Sequence, residues 1–589
     1  LRPEIRQKQL HFTWLRSLHI LIQRLLTQRL SLGGNGLLSD DRADFSARTR
    51  PGFQDPDKNR SGWIVFLGFV AAALPLLIVT FPPVLDYPNH LARLWLLAGG
   101  ADHPPLSSTY IVDWSHASTN VGVDWAAAEL GRLLPISVVD RVIRTLMFLS
   151  APAGAVFLSR AVWGKWTPWQ LAPIAVAWSA TTIAGFMSYS IALGAALFCA
   201  TFIQKRGIRL DPLTLTIHVL LSCALLLLHP FGLFFYLVII SALVLGPDSV
   251  WPVTRAYALQ KITKIGVFTL LSTLPVAVLF LVSSHPPGTS TILTGSLADH
   301  LSPKTIVRTL LSPILTYKVS ADVLLTLPIA IMGLAAAVTG RLRVHFGLAL
   351  VGLVLALLSL AMPDTIGDAS WMNRRLPLMA ALSVLVAVSP RPLTVRWQQV
   401  MLAMLVLTTL GRVTWISYIW HMRDSDVEDL YAVAGQVKPG DAVLVVKQVP
   451  RDIHEAPIGR YLVGAPLGWD STRRHLPNLL TISNGAFIPT LFTVPGQHPI
   501  RISGPREIDS VRSSTIPPLN ALSNGSREDP YVSRWRCDFQ FVLLVGADEP
   551  ANDSFVSAGL TKIASRGFAT LYAIKQKTGP AALCGPPVP

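Results

Sequence analysis

Apolar residues gather into long runs separated by short polar breaks. The first spans Gly62 to Phe81; others lie at roughly 142–162, 169–187, 191–204, 213–228, 231–246, 265–283, 321–339, 346–362, 376–390 and 399–419. A helical bilayer crossing takes about 20 apolar residues, so the pattern predicts about eleven transmembrane helices, the shorter ones shielded by neighbours. From His421 onward the pattern changes. Val427 to Ala434 reads as a helix and Lys438-Pro-Gly-Asp441 as a turn, while Ala442–Val446, Phe541–Val545 and Ala569–Ile574 read as buried strands. The predicted fold class is a polytopic α-helical membrane protein with a C-terminal α/β domain. Its expected divisions are a basic, partly disordered tail (1–61), a membrane domain (62–420) and an extracytoplasmic α/β domain (421–589), the last of ordinary domain size. The strand stretches carry neither a Gly-rich phosphate loop nor a Ser-centred nucleophile elbow.

Composition agrees with this reading. Of 589 residues, 51% are hydrophobic and 14% charged, against about 25% charged in soluble domains, and the mean hydropathy is +0.47. The formal charge of +16 would suggest nucleic acid in a soluble protein. Here the basic residues concentrate in the tail and in alternate loops: Arg160 and Lys165; Lys205, Arg206 and Arg209; Arg255, Lys261 and Lys264; Arg341 and Arg343; Arg391 and Arg396. That is the positive-inside pattern, and nucleic acid is set aside. It predicts a cytoplasmic N-terminus, with Asp86 and the C-terminal region on the outer face. In the tail, His11–Leu30 is amphipathic and suited to an anionic membrane surface. Cys199 and Cys223 fall in apolar runs as packing residues, and Cys537 and Cys584 are available for a disulfide in an oxidising compartment.

Candidate chemistry collects in three outer segments, 84–140, 284–320 and 363–375. The first opens with Phe81-Pro-Pro-Val-Leu-Asp86-Tyr-Pro-Asn-His90-Leu-Ala-Arg93. The Pro82-Pro83 break ends the first span, and Pro88 suits the first turn of a new helix. Asp86, His90 and Arg93 then share one stripe. Asp86 can cap that helix, and a carboxylate receiving helix N–H bonds stays ionised and ready to take a proton. Asp113 and Asp124 are possible second acids. His90, His103 and His116 lack the spacing of a zinc ligand set.

The outer arginines Arg374 and Arg375, next to the run at Leu376, can grip a phosphate at headgroup depth; the competing account is a snorkelling pair or a partner for Asp364 or Asp368. Ser302 and Pro303 open a second helix whose Lys304 and Arg308, four apart, offer another anion site or simply a solvated face. Arg412 interrupts the last run and needs a buried partner or a short reach to the outer interface, with snorkelling the expectation. His229, before Pro230, is expected to be a helix-end residue on the Asp86 side.

The Asp86 segment, together with Gly185-Phe-Met-Ser-Tyr189, Leu228-His229-Pro-Phe-Gly232 and Asn373-Arg374-Arg375-Leu-Pro377, resembles the GT-C superfamily of integral membrane glycosyltransferases, in particular a bacterial GT-C-like group. The resemblance implies a catalytic acid just after the first span and a polyprenyl-phosphate-linked sugar as donor. It also implies an extracytoplasmic glycan or lipid acceptor, with membrane lipids around the site. Asp86 would be general base, His90 would orient it or contact sugar hydroxyls, and Arg374 and Arg375 would hold the donor phosphate. Several GT-C families carry an acidic pair in this loop, whereas here Tyr87 follows Asp86. No cofactor is therefore assigned, and a divalent metal is disfavoured. The alternatives are a transporter or flippase of lipid-linked glycans and a non-catalytic envelope protein. A transporter predicts mid-membrane ionisable groups and paired repeats, and the sequence shows neither.

Overall fold

The computed structural model describes residues 56–247, 255–282, 293–294, 302–366, 371–391, 394–448, 472–494, 497–509, 516–524, 530–548 and 559–575. The chain divides into Leu1–Asp55 and Pro56–Pro589, and every described residue belongs to the second unit. The amphipathic stretch 11–30, the start of the second outer segment, Asp368 and Cys584 lie outside the described residues.

The first long helix, α1 (Pro56–Ile78), stops before Pro82-Pro83. Helix α2 (Tyr87–Leu97) carries Pro88 in its first turn, where a missing N–H is harmless, and all but one of its residues are buried. The strand β1 (Tyr110–Val112) and the amphipathic helix α3 (Gly122–Leu133) complete the first loop. The long helix α4 (Ile136–Trp163) returns across the protein. There follow α5 (Met187–Arg206), α6 (Pro212–Leu228), α7 (Pro230–Leu245), α8 (Arg255–Val282), α9 (Pro303–Leu311), α10 (Val319–Val338), α11 (Phe346–Ala361), α12 (Met372–Ala387) and α13 (Val395–Arg423). Among the described residues α1, α4, α5, α8, α10 and α13 are long and apolar enough to cross a membrane, and α6, α7 and α11 are shorter apolar helices. The chain is a multi-pass, mostly helical membrane protein.

One predicted helix is absent. The run at 169–187 forms a 3₁₀ segment, Pro168–Val176, and a single helical turn, Ala180–Ile183. It still traverses the fold. Trp166 packs against Gly62 at one end of α1, whereas Ala184 accepts the Asp86 N–H beyond the other end. The α1 helix between those levels is about 25 Å long. Pro168 and Pro173 oppose an α-helix, and the 3₁₀ form covers about 2.0 Å per residue. Residues 169–185 are buried throughout, which is the condition under which irregular backbone survives at membrane depth.

Arg412 does not snorkel. Its guanidinium is fully buried, 2.8 Å from Asp322 Oδ1, and donates to the Ile314 and Trp178 carbonyls at 2.8 and 2.5 Å. Asp322 in turn accepts from the Thr316 N–H and hydroxyl, both at 2.6 Å. Internal partners come at no cost in side-chain stretching, and a buried charge demands them.

Beyond α13 lie α14 (Ser425–Val433), β2 (Val443–Lys447), β3 (Ile500–Ile502), β4 (Phe541–Val545), β5 (Leu560–Arg566) and β6 (Ala569–Ile574). A four-stranded sheet runs in the order β2-β4-β6-β5, with β2 parallel to β4 and the other pairs antiparallel. The strand β3 pairs instead with β1 of the first loop, so the C-terminal region is stitched to the segment that follows α1. Cys537 is disulfide-bonded, and Cys199 and Cys223 are free.

Candidate active site

The loop before α2 is held on three sides. The Tyr317 hydroxyl donates to the Pro83 carbonyl at 2.9 Å and accepts from the Trp420 indole at 2.8 Å. The Asp424 carboxylate accepts the Thr80 N–H at 2.7 Å. Leu85 and Asp86 donate their N–H groups to Ile183 and Ala184, each at 3.0 Å. Gly185 makes the last contact possible. Its φ of +88° suits glycine, and a Cβ there would stand 2.8 Å from the Asp86 and Tyr87 nitrogens.

Asp86 occupies the N-cap position, yet its side chain makes no cap hydrogen bond. The capping expectation is therefore corrected: the backbone carbonyl receives the Asn89 and His90 N–H groups, and the carboxylate is turned elsewhere. Its Oδ1 lies 3.5 Å from His475 Nε2, with the Asp86 side chain 19% exposed. It also acts electrostatically on the Arg375 guanidinium. One acid after the first span thus lies beside a histidine of the C-terminal region and within electrostatic range of Arg375 on α12.

The neighbours of Asp86 in sequence take structural parts. Tyr87 donates to Asp140 at 2.8 Å, and Asp140 pairs with Arg144 at 2.7 Å. Asn89 donates to the Thr490 carbonyl at 2.6 Å and accepts the Phe492 N–H at 2.7 Å. Arg93, a sequence candidate, is fully buried in a two-bond pair with Asp124, at 2.9 and 3.1 Å. Asp113 caps a short turn at Ser115 and lies 3.5 Å from Arg501. These two are placed as fasteners of the loop. His90 packs edge-on against Phe492 at 5.3 Å, one turn along the helix from Asp86.

Burial holds the His90 ring well below its usual pKa, with Arg93 and His475 adding to the effect. Burial, then Arg474, does the same to His475. Both rings are neutral at physiological pH. Neither Nδ1 has a hydrogen-bond partner among the described residues.

The adjacent arginines Arg374 and Arg375 diverge. Arg375 turns among Phe186, Phe231 and Tyr189, at 4.6, 5.4 and 5.6 Å from the ring centres, with His229 Nε2 3.2 Å away. The Tyr189 hydroxyl donates to its carbonyl at 2.5 Å. His229 also caps α7, its Nδ1 accepting the Phe231 N–H at 3.1 Å. Arg374 lies over Trp371 at 4.4 Å and interacts electrostatically with Asp364 and with Arg308 of α9. Lys304 is exposed, one turn from Arg308. The structure therefore brings Asp86, Arg375 and His229 into one neighbourhood and Arg374 and Arg308 into another, linked by the start of α12.

His475, Phe492 and Asn478 escaped sequence reasoning. A signal was available: Arg473-Arg474-His475 is a basic cluster in the C-terminal region expected on the side of Asp86. Among the described residues no group of three or more His, Cys, Asp or Glu side chains could hold a metal ion.

No protein-family model matches the chain, and neither does any curated protein sequence. Among solved structures it is similar to ArnT from Cupriavidus metallidurans in the apo state, at 10% identity and a TM-score of 0.48 over 90% of this chain and 100% of that one. The same protein bound to undecaprenyl phosphate matches at 10% identity and a TM-score of 0.46, over 90% of this chain and 99% of that one.

Proposed function

We propose that this protein is a membrane glycosyltransferase of the bacterial inner membrane. It moves a sugar from a polyprenyl-phosphate donor to a hydroxyl-bearing acceptor on the periplasmic side, with Asp86 as general base. The observation that supports this reading is the placement of the Asp86 carboxylate at one end of the spans, beside His475 and within electrostatic range of the Arg375 guanidinium. A negative group to take the acceptor proton and a positive group to stabilise a leaving phosphate then act at the same end of the spans, with the lipid chain along the helices.

The acceptor oxygen attacks the anomeric carbon as its proton passes to Asp86. The bond from that carbon to the phosphate oxygen breaks, and the lipid phosphate leaves with the electron pair. Phosphate is a competent leaving group, so positioning and charge stabilisation carry most of the catalysis. Arg375 faces the reacting centre, and Arg374 with Arg308, and Lys304 at the rim, forms the outer part of the phosphate site. The C-terminal region roofs Asp86 and selects the acceptor.

The test is Asp86→Asn, which keeps shape and removes the base. Envelope glycolipids and glycans are compared by mass spectrometry between wild-type, deletion and Asp86→Asn strains. A species missing from both mutant strains, with the variant folded in the membrane, is the expected result. An Asp86→Asn profile identical to wild type defeats the proposal.

A further inference from the structure

We infer that His475 is a positioning residue for Asp86: its Nε2–H donates to the carboxylate, and a buried ion-pair strap in the C-terminal region holds the ring in place. The inference rests on the glycosyltransferase reading for its catalytic consequence, but the pairing itself does not.

Three observations support it. The first is the 3.5 Å approach of Nε2 to Asp86 Oδ1, with the histidine side chain 2% exposed. The second is the ring's other nitrogen, buried and without a partner among the described residues. A neutral imidazole carries one N–H, and among the described residues Asp86 is the acceptor near Nε2, so the pair selects the Nε2–H tautomer.

The third is the anchoring of the chain around it. Arg473 binds Asp426 through two bonds, at 2.8 and 3.0 Å, and reaches Asp548 at 3.0 Å. Arg423, the last residue of α13, binds the same Asp426 at 2.6 Å and reaches the Thr472 hydroxyl at 3.3 Å. Burial alone would raise the Asp426 carboxyl, but Arg423 and Arg473 hold it below the usual range. The Asn478 side chain donates to the His475 carbonyl at 3.1 Å, and Phe492 stands edge-on to the ring at 5.5 Å. The last span thus delivers a fixed ring to the acid that follows the first.

Among the described residues the charged and titratable groups that act on the ring or on its partner are Asp86, His90 and Arg474, with Arg375 acting on Asp86. A neutral donor leaves the carboxylate its charge. It restricts the direction of the lone pairs without supplying a competing proton, which is what a base of fixed aim requires.

Two measurements test the assignment on the full chain in nanodiscs. Labelled with 15N-histidine, the protein is expected to show His475 as a neutral Nε2–H ring between pH 6 and 8, its signals identified by their loss in His475→Gln. Asp86→Asn is expected to shift the Nε2 resonance. An Nδ1–H or cationic ring, or signals unmoved by Asp86→Asn, overturns the pairing whether or not sugar transfer is ever detected. With the transfer assay in hand, His475→Ala is expected to lower kcat on the order of 100-fold, the scale of a misaimed catalytic group, with KM little changed. The acid limb of its pH profile is expected to move upward, since Asp86 loses a donor that favours the ionised form. His475→Gln, which keeps an N–H donor, is expected to recover much of kcat. Equal losses in the two variants, or a kcat like wild type in His475→Ala, removes the catalytic role. Transfer absent from the wild type with the ring pairing intact would instead fault the proposed function alone.

Discussion

At the residue scale, adjacent arginines with the same side chain occupy different surroundings. Arg375 is wrapped by three aromatic rings and feels the charge of Asp86, while Arg374 lies over one indole and feels Asp364 and Arg308. A lysine keeps the charge but not the flat guanidinium that stacks on rings. Arg375→Lys is therefore expected to lose stability by about 1–3 kcal/mol, since a desolvated cation–π contact is worth up to about 2, and to lower kcat. Arg374→Lys, which gives up one ring rather than three, is expected to lose less, about 0.5–1 kcal/mol, and to raise KM for the lipid-linked donor. Thermal melts in detergent and steady-state kinetics distinguish the two. Identical behaviour would contradict the division of roles. The sequence marked the pair as a unit because spacing places both at one depth; which way each turns depends on Phe186, Tyr189, Phe231 and Trp371, from three separate parts of the chain.

At the element scale, the buried Arg412–Asp322 pair joins α13 to α10 and reaches the carbonyls of Ile314 and Trp178. Removing one partner of such a pair strands the other charge, at about 3–5 kcal/mol. Arg412→Met is expected to show that loss in detergent melts, and Arg412→Met with Asp322→Asn to recover most of it. A snorkelling arginine would predict a change within about 0.5 kcal/mol, as at ordinary surface sites. The same junction explains the missing helix. Apolar content made 169–187 look like one more span, but Pro168 and Pro173 and the packing of α1, α4 and α13 around it allow a 3₁₀ crossing. Hydropathy reports burial, not hydrogen-bond pattern.

At the scale of the whole molecule, acid should loosen the contact between the first loop and the C-terminal region. His90 and His475 are both neutral when folded, held well below their ordinary pKa chiefly by burial. The unfolded rings titrate near pH 6.5. Their contribution is therefore fully present above that pH and is lost as the pH falls below it, by up to about 1.4 kcal/mol per pH unit for each ring. Asp509 works in the other direction. Burial and Asp538 push its carboxyl up to about 7, so its contribution is present below about pH 4 and is lost as the pH rises toward 7. Single variants separate the two senses. Between pH 6.5 and 5 the melting temperature of His475→Gln is expected to fall less than that of wild type. Asp509→Asn is expected to gain stability over wild type progressively from pH 4 to 7. Parallel curves for wild type and His475→Gln would mean that the ring is not held neutral by the fold.

The order of apolar runs along the chain already determined a polytopic protein and the level at which Asp86, His229, Arg374 and Arg375 stand, because bilayer thickness and helix rise convert residue number into depth. It also determined the strand stretches Phe541–Val545 and Ala569–Ile574 and, to within one residue, Val443–Lys447, read from the sequence as Ala442–Val446, because continuous apolar composition suits a buried sheet. Only the tertiary structure decided which groups at one depth face one another. Asp86 and His475 are separated by most of the chain, and their approach depends on β1 pairing with β3 and on Arg423 and Arg473 sharing Asp426. Periodicity along a helix specifies a face, whereas a meeting between distant faces is the joint outcome of every packing contact between them.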